Sequence, residues 1–320
     1  MTTVLVGGVP GALDRLRREF PDVELIDLRN YSGPIPSDGI LFASHLSVEA
    51  LAAASEGVAW VALPYTGIDS AQPELLKAPI VTCARGALAG PIAEYTLCAM
   101  LTKARNLPAF WLDEPPSGRW AWNIQEEVLT DGRTLQPESL EGQRLALFGF
   151  GGIGQRVAQL GLAFGMEVVA MRRTNKASEI NGVRLVGSLQ ELMQDADHLV
   201  ICAPATAATT AIINADLLKE AKQGLHLINV ARGSLIDQDA LKDWLDRDEA
   251  ARASLDVCEP EPLLDAEHWL YHHPRVFLTP HSSWMGPAYM SGALDQFCEN
   301  LHRYLRGEPL HGVIDHEQGY

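Results

Sequence analysis

The chain has 320 residues, a length that suits two domains, and it is 47% hydrophobic and 21% charged, so a sizeable core is possible. Lysine and arginine number 25 against 41 aspartates and glutamates, for a net charge of -16. This charge disfavours nucleic acid and anionic membrane surfaces as partners, although a local basic spot can still bind one small anion.

The cysteine spacing and the apolar runs restrict the class of protein further. The five cysteines are widely spaced, and no pair has the short spacing of a zinc or redox motif, so we predict no metal site and reduced, buried thiols. The start, MTTVLVGGVPG, lacks the features of a signal peptide, and no apolar run is long enough to span a bilayer. We expect a cytoplasmic protein.

The first hundred residues alternate short β-branched runs with helical stretches. The runs are TVLVGG, VELIDL, GILFAS, VAWVALP and PIVTCA; ALDRLRREF reads as a helix between the first two, and GPIAEYTLCAMLTKARN follows as a long helix. Consecutive apolar positions are typical of strands covered on both faces, which predicts a parallel sheet between helices. Residues 107–139 are irregular and rich in proline and tryptophan.

A second alternation follows this irregular segment. Its predicted strands are RLALFGF, EVVAM, VRLV, HLVICAP, HLINVA, ARASLDV and VFLTP, and a final helix is predicted in PAYMSGALDQFCENLHRYLRG. The fold class is therefore α/β, with two doubly wound parallel-sheet domains and a cleft between them, a usual place for a ligand site.

A glycine-rich loop connects the strand RLALF to a helix. It carries Gly149-x-Gly151-x-x-Gly154. In this context Gly149 permits a tight turn, Gly151 lets the backbone approach a pyrophosphate, and Gly154 lets the helix pack close to the strand. The helix N-terminus offers free N–H groups and a partial positive charge to the same anion. The loop predicts a dinucleotide site.

The next predicted strand, EVVAM, is followed by Arg172, Arg173 and Thr174. Arg172 lies 23 residues after Gly149. An acid at this place would accept hydrogen bonds from the adenosine ribose, whereas a guanidinium pair suits a 2′-phosphate. We predict NADP(H) as the cofactor, with NAD(H) as the alternative. Two solvated arginines at a strand end are the structural alternative.

Four ordered motifs carry a family resemblance. GFGGIG, INVARGSLID, SLDVCEPEPL and LTPH occur in the order and spacing of the D-isomer-specific 2-hydroxyacid dehydrogenases, and YTGID and GPIAEYTLCAML resemble that family's substrate loop and hinge helix. The resemblance covers nearly the whole chain. It implies a flavodoxin-like substrate domain from residues 1–98 and 284–320, a Rossmann-type dinucleotide domain from residues 99–283, and a homodimer.

Three residues match the family's catalytic set: Arg232, Glu261 and His281. Histidine titrates near neutrality, so His281 can give a proton to a keto oxygen, and a carboxylate at Glu261 would favour the imidazolium and hold its orientation. Arg232 can bind the substrate carboxylate and polarise its carbonyl. Taken singly, these residues could be a structural histidine, a turn acid, and an arginine that caps a helix or pairs with Asp237.

The resemblance also implies further binding residues. Backbone N–H groups of Thr66, Gly67 and Ile68 would hold the substrate carboxylate. The remaining cofactor positions are Gly152, Ile153, Ala203, Pro204, Thr209, Val230, Ala231 and Asp256. Asp256 would orient the nicotinamide carboxamide, or else cap a loop at its strand end.

Some residues depart from the family or fit two uses. Glu261 stands where the formate dehydrogenase branch has glutamine, which disfavours formate oxidation. Trp284 follows His281 closely and, with Trp120 and Trp122, would shape a substrate pocket; the tryptophans of residues 107–122 suit dimer contacts equally well.

The predicted function is an NADP(H)-dependent reductase of small 2-keto acids that gives D-2-hydroxy acids, similar to glyoxylate and hydroxypyruvate reductases. The alternatives are an NAD-dependent phosphoglycerate dehydrogenase-like enzyme and a corepressor-like protein that senses the dinucleotide.

Overall fold

The protein is described here by a computed structural model, which covers residues 2–43, 48–68, 71–106, 137–173, 177–286 and 288–315. The fold divides into two compact units. Unit 1 comprises Met1–Pro91, Pro204–Ala208 and Trp284–Tyr320, and unit 2 comprises Ile92–Ala203 and Thr209–Ser283. The predicted domain limits after residues 98 and 283 remain predictions, because a compact unit need not be a domain that folds alone.

Strands and helices alternate along the described chain. The strands are β1 (Thr3–Gly7), β2 (Glu24–Asp27), β3 (Ile40–Ala43), β4 (Trp60–Leu63), β5 (Ile80–Cys83), β6 (Arg144–Phe148), β7 (Glu167–Met171), β8 (Val183–Val186), β9 (His198–Ile201), β10 (His226–Asn229), β11 (Arg252–Leu255) and β12 (Val276–Leu278). The helices are α1 (Ala12–Glu19), α2 (Val48–Glu56), α3 (Ala89–Arg105), α4 (Gly152–Ala163), α5 (Leu189–Met193), α6 (Ala215–Lys219), α7 (Gln238–Arg247), α8 (Trp269–His272) and α9 (Ala288–Arg306). Each predicted strand forms in the run that predicted it.

Unit 1 contains a parallel sheet in the order β2-β1-β3-β4-β5, which is the flavodoxin-like order. Successive residues of a strand point to opposite faces, and both faces are buried here. On one face Leu41 packs in a core with Ala50 of α2, while on the other Phe42 stacks on Phe297 of α9 with ring centroids 4.1 Å apart. Burial on both faces explains the continuous apolar runs.

Unit 2 contains a parallel sheet in the order β8-β7-β6-β9-β10-β11-β12. From β8 to β11 this is the Rossmann order 3-2-1-4-5-6, with β12 added at the edge. The chain reverses direction across the sheet between β6 and β9, where such folds bind their ligands. The predicted fold class, two doubly wound parallel sheets, is confirmed.

Within the described part of the chain, no helix is both long enough and apolar enough to cross a membrane.

Candidate active site

The predicted site residues of unit 2 follow the carboxyl ends of its strands. Gly149 follows β6, Arg172 follows β7, and Ala203 comes two residues after β9. Arg232 comes three residues after β10, and His281 three residues after β12. Because all these strands run parallel, their ends lie along one edge of the sheet.

The glycine-rich loop packs too tightly for side chains at Gly149 and Gly154. Gly149 has a φ of 107°, and a Cβ there would lie 2.6 Å from the backbone of Cys202 and Ala203. A Cβ on Gly154 would lie 2.2 Å from the Gly149 carbonyl oxygen. These contacts press the start of α4 against the loop and the end of β9.

Gly151, in contrast, borders open space. A Cβ built on it meets no atom within 4 Å, and the next residue begins α4. The first N–H groups of a helix have no partner within the helix, so those of Gly152, Ile153 and Gly154 are suited to an anion. A dinucleotide pyrophosphate fits this cradle, since the backbone can approach it without a side chain between.

Arg172 is held beside the same loop. Its guanidinium carbon lies 5.8 Å from the ring centroid of Phe150, and Nη2 donates a hydrogen bond to the Ala177 carbonyl oxygen at 2.6 Å. Phe150 stands between Gly149 and Gly151, so the arginine is tied to the turn that carries the glycines. Arg173 is exposed. Thr174 lies outside the described residues, as do Trp120 and Trp122.

His281 and Glu261 are joined by a hydrogen bond between Nδ1 and Oε1. Their side chains are 35% and 36% exposed, so both remain open to small molecules. Because an ionised carboxylate only accepts hydrogen bonds, Nδ1 of His281 is the donor. Nε2 is then the ring nitrogen that can exchange a proton with a substrate.

The backbone of His281 is held in an uncommon conformation. Its φ is 51°, in the left-handed region that few side chains adopt, and its N–H donates to the Asp256 carbonyl oxygen at 2.8 Å. Residues other than glycine that are held in this conformation are often found at functional sites, where the surrounding structure fixes them.

Asp256 fixes that surrounding structure. The residue is 1% exposed, and its Oδ1 accepts hydrogen bonds from Thr279 Oγ1 at 2.6 Å and from the Ser282 N–H at 2.8 Å. Its Oδ2 accepts from the Ser283 N–H at 2.9 Å. The carboxylate therefore caps the loop that carries His281, which was one of its two predicted roles. Its contact with a carboxamide stays a prediction.

Arg232 follows β10 on a turn that Asn229 closes. Asn229 is fully buried; its Nδ2 donates to the Arg232 carbonyl oxygen at 2.8 Å, and its Oδ1 accepts from the Ala231 N–H at 3.0 Å. Arg232 is partly buried, and its Nη1 donates to the Ala231 carbonyl oxygen at 2.7 Å. Asp237 caps α7 through the Ala240 N–H.

Gly233 brings the Arg232 turn against the end of β11. A Cβ on Gly233 would lie 2.1 Å from the carbonyl carbon and oxygen of Cys258, so any side chain there would have to displace this backbone. We did not single out Gly233 or Asn229 from the sequence. The signals for them were a glycine directly after the arginine and an amide at the end of an apolar strand.

The remaining predicted cofactor residues occupy the same region of unit 2 with one exception. Ala203 and Val230 are buried, and Ala231 and Thr209 are partly buried. Pro204 is exposed and belongs to unit 1.

The predicted substrate loop lies in unit 1, after β4. The Thr66 hydroxyl donates to the Ala84 carbonyl oxygen at 3.1 Å, and Ile68 is buried in the unit 1 core. Among the described residues, the N–H groups of Thr66, Gly67 and Ile68 donate to no protein acceptor. Trp284, also of unit 1, is partly buried.

A cavity of about 400 Å³ adjoins the His281–Glu261 pair within unit 2. Segments 256–258, 261–263 and 278–281 line it, together with Tyr271. Burial, and then the charges of Glu261 and Glu259, raise the pKa of the Cys258 thiol, so this cysteine stays protonated near neutrality. A second cavity of about 420 Å³, beside α5 and α6, contains no predicted site residue.

Comparison with known proteins identifies the family of this chain. The sequence model of the D-isomer specific 2-hydroxyacid dehydrogenase NAD binding domain matches residues 97–283, which is 187 of 320 residues. The D-3-phosphoglycerate dehydrogenase of Methanocaldococcus jannaschii is 31% identical over 253 residues, 78% of this chain. This chain spans 46% of that protein.

Two further relatives are covered over most of their length. The hydroxypyruvate reductase of Thermotoga maritima is 29% identical over 84% of this chain and 80% of that protein. The crystal structure of the TT0316 protein from Thermus thermophilus is 29% identical, covers 98% of this chain and 100% of that chain, and superposes with a TM-score of 0.70. Because the family's sequence model matches more than half of this chain, the chain belongs to the D-isomer specific 2-hydroxyacid dehydrogenases.

Proposed function

We propose that the protein is an NADP(H)-dependent reductase of small 2-keto acids, such as glyoxylate and hydroxypyruvate, and that it gives D-2-hydroxy acids. The observation that carries the proposal is the His281–Glu261 hydrogen bond at the carboxyl edge of a Rossmann sheet. A histidine paired with a carboxylate can donate and recover one proton per turnover.

Reduction of a 2-keto acid needs a hydride at the carbonyl carbon and a proton at its oxygen. The bound reduced nicotinamide supplies the hydride. His281 protonates the oxygen from Nε2, and Glu261 holds the ring through Nδ1 and stabilises the imidazolium. The left-handed backbone of His281 aims the ring from a loop that Asp256 fixes at both sides.

Arg232 binds the substrate carboxylate and polarises its carbonyl. A planar guanidinium matches a carboxylate geometrically and carries a charge that does not titrate near neutrality. We also propose that the N–H groups of Thr66, Gly67 and Ile68 in unit 1 bind a substrate carboxylate, since among the described residues they donate to no protein acceptor. We assign Trp284 to the substrate pocket as well.

The cofactor proposal rests on the glycine loop and on Arg172. Gly149, Gly151, Gly152, Ile153 and Gly154 would hold the pyrophosphate, because the backbone at the start of α4 is open there. Arg172, which lies over Phe150, would bind the ribose 2′-phosphate together with Arg173 and Thr174. The other proposed cofactor residues are Ala203, Pro204, Thr209, Val230, Ala231 and Asp256. An NAD(H)-specific site would favour an acid at position 172.

Small substrates are supported by the relatives that this chain covers well. The Thermotoga maritima protein is named a hydroxypyruvate reductase. The phosphoglycerate dehydrogenase of Methanocaldococcus jannaschii is about twice as long as the matched part of this chain. An NAD-dependent phosphoglycerate dehydrogenase therefore remains the second candidate. The intact set of Arg232, Glu261 and His281 favours an enzyme over a corepressor-like binding protein.

A steady-state screen tests this function. Glyoxylate, hydroxypyruvate, pyruvate, bulkier 2-oxo acids and 3-phosphoglycerate are assayed with both cofactors at the nicotinamide absorbance band. We expect kcat/KM to be highest for glyoxylate or hydroxypyruvate with NADPH, and the product to be the D enantiomer where it is chiral. Oxidation of 3-phosphoglycerate with NAD alone would select the second candidate, and no turnover with any substrate would select the binding protein.

We also propose a homodimer located in the cytoplasm. Sedimentation velocity of the purified protein tests the first point: a single species near the 34.9 kDa monomer mass would contradict it.

A further inference from the structure

Tyr95 of α3 is linked to the histidine loop through one threonine. Its hydroxyl oxygen lies 2.7 Å from Oγ1 of Thr279, although 184 residues separate the two in sequence. Oγ1 of Thr279 lies 2.6 Å from Oδ1 of Asp256. Three side chains thus form an unbroken hydrogen-bonded chain from the helix to the carboxylate.

The direction of these hydrogen bonds follows from the acceptor at the end of the chain. Asp256 is buried, and both of its carboxylate oxygens accept backbone N–H groups, from Ser282 and Ser283. An ionised carboxylate has no proton to give, so the Thr279 hydroxyl donates to it. The Thr279 oxygen can then only accept from Tyr95. Burial raises the pKa of Tyr95, which keeps its hydroxyl protonated as this donor.

The chain ends on the residues that flank His281. Thr279 comes two residues before the histidine, and Ser282 directly follows it. The His281 N–H donates to the Asp256 carbonyl oxygen at 2.8 Å and to the Thr279 carbonyl oxygen at 3.0 Å. The positions of Thr279 and Asp256 therefore fix the backbone around His281.

We propose that Tyr95 is a positioning residue for His281, which it orients through Thr279 and Asp256 without touching the reacting atoms. The catalytic consequence rests on the proposed function, in which His281 transfers the proton. Catalytic geometry is sensitive at this scale, because a displacement of about 1 Å can lower a rate on the order of a hundredfold.

Removing the Tyr95 hydroxyl should loosen the loop without unfolding the sheet. Tyr95→Phe keeps the ring in place and leaves the partly buried Thr279 oxygen without its donor. With the keto acid that the enzyme reduces as substrate, we expect kcat to fall roughly tenfold, while the KM for NADPH changes less than about twofold. Of the proposed cofactor residues only Asp256 belongs to this hydrogen-bonded chain, and it keeps its backbone partners Ser282 and Ser283 in the variant, so the KM for NADPH should change less than kcat.

A double-mutant cycle identifies the route. Tyr95→Phe, Thr279→Val and the double variant are compared with Thr279→Ser, which retains the hydroxyl and should keep kcat near the wild-type value. If Tyr95 acts through Thr279, the double variant loses no more than Thr279→Val alone. Tyr31→Phe is the matched control, because Tyr31 also loses a hydroxyl hydrogen bond, to the Pro34 carbonyl oxygen in unit 1.

A second readout does not need turnover. In protein labelled with [13C]histidine, the ring signal of His281 is assigned by its loss in His281→Asn. We expect Tyr95→Phe to move this signal in the wild-type background but not in the Thr279→Val background. Should no keto acid be reduced, the proposed function fails, and this signal still decides the positioning role.

The inference is overturned by either of two results. One is an unchanged His281 signal in Tyr95→Phe protein. The other is an additive loss in the double variant, which would mean that Tyr95 acts by a route other than Thr279.

Discussion

Nδ1 of His281 and Oε1 of Glu261 share a hydrogen bond, although one residue follows β12 and the other precedes α8. The contact joins an imidazole to a carboxylate. The proposed proton transfer depends on this hydrogen bond. Two substitutions test the imidazole and the carboxylate separately.

Replacing His281 by asparagine should abolish most of the activity without straining the loop. Asparagine tolerates a φ of 51° better than most residues, whereas alanine would add backbone strain to the loss of the imidazole. General acid–base catalysis contributes on the order of 10²–10⁴-fold, so we expect a fall of that size in kcat with glyoxylate and NADPH. Turnover within a few-fold of wild type would show that another group supplies the proton.

Replacing Glu261 by glutamine keeps an acceptor for Nδ1 but removes the charge that stabilises the imidazolium. A charge-assisted hydrogen bond contributes about 1.5–3 kcal/mol, so kcat should fall roughly 10- to 100-fold. Glu259→Gln is the matched control, because the Glu259 side chain is exposed and the residue contacts Gln238 through its backbone. Equal losses in both variants would contradict the role of Glu261.

Replacing Arg172 by serine should change the choice of cofactor. We expect the KM for NADPH to rise roughly 10- to 100-fold, as for the loss of one charged hydrogen-bonded contact, while the KM for NADH changes little. Arg156→Ser is the control, since Arg156 is an exposed arginine of α4 that contacts Gln159. A parallel rise for both cofactors would place Arg172 outside the 2′-phosphate site.

Replacing Gly233 by alanine should destabilise unit 2 and displace Arg232. The new Cβ would lie 2.1 Å from backbone atoms of Cys258, which cannot rotate away. Overpacking of this kind costs about 1–3 kcal/mol, and we expect a lower Tm together with a higher KM for the keto acid. In Gly187→Ala, where the Cβ meets nothing within 4 Å, both values should stay near wild type.

Two buried histidines should make stability depend on pH. His198 and His226 are fully buried with their Nδ1 atoms 3.2 Å apart, and Gln143 and Ser254 bond their outer nitrogens. Burial lowers the pKa of His198 to about 4 and the pKa of His226 well below its ordinary value. Both are neutral in the folded protein near pH 7.

The unfolded chain therefore binds more protons than the folded protein below pH ~6.5, and stability falls as the pH drops from there towards 4. The loss should reach roughly 1 kcal/mol per pH unit for His198 in this window, and His226 should add to it in the same direction. Thermal unfolding between pH 7 and 5 measures the effect. The decline of Tm should be shallower in His198→Gln protein and unchanged in His302→Gln, whose histidine side chain is 41% exposed. Equal slopes in all three proteins would contradict the assignment.

The sequence by itself determined the strands and the fold class, and it supplied the predictions for the site residues. Apolar runs located β1 to β12 because a strand covered on both faces must be apolar at consecutive positions. The spacing of Gly149, Gly151 and Gly154 identified the dinucleotide loop, because its turn and its helix start are formed by neighbouring residues. These are local properties of the chain.

Only the tertiary structure decided which distant residues meet. No local pattern indicated that Gly233 would touch Cys258 or that Tyr95 would reach Thr279. For Asp256 the sequence allowed a loop-capping role, but only the fold shows that the capped loop is the one that carries His281. Such contacts arise from the order of strands within a sheet and from the packing of α3, and both depend on burial and hydrogen bonding summed over the whole unit. The left-handed backbone of His281 has the same origin, because its own side chain does not favour that conformation and the surrounding hydrogen bonds impose it.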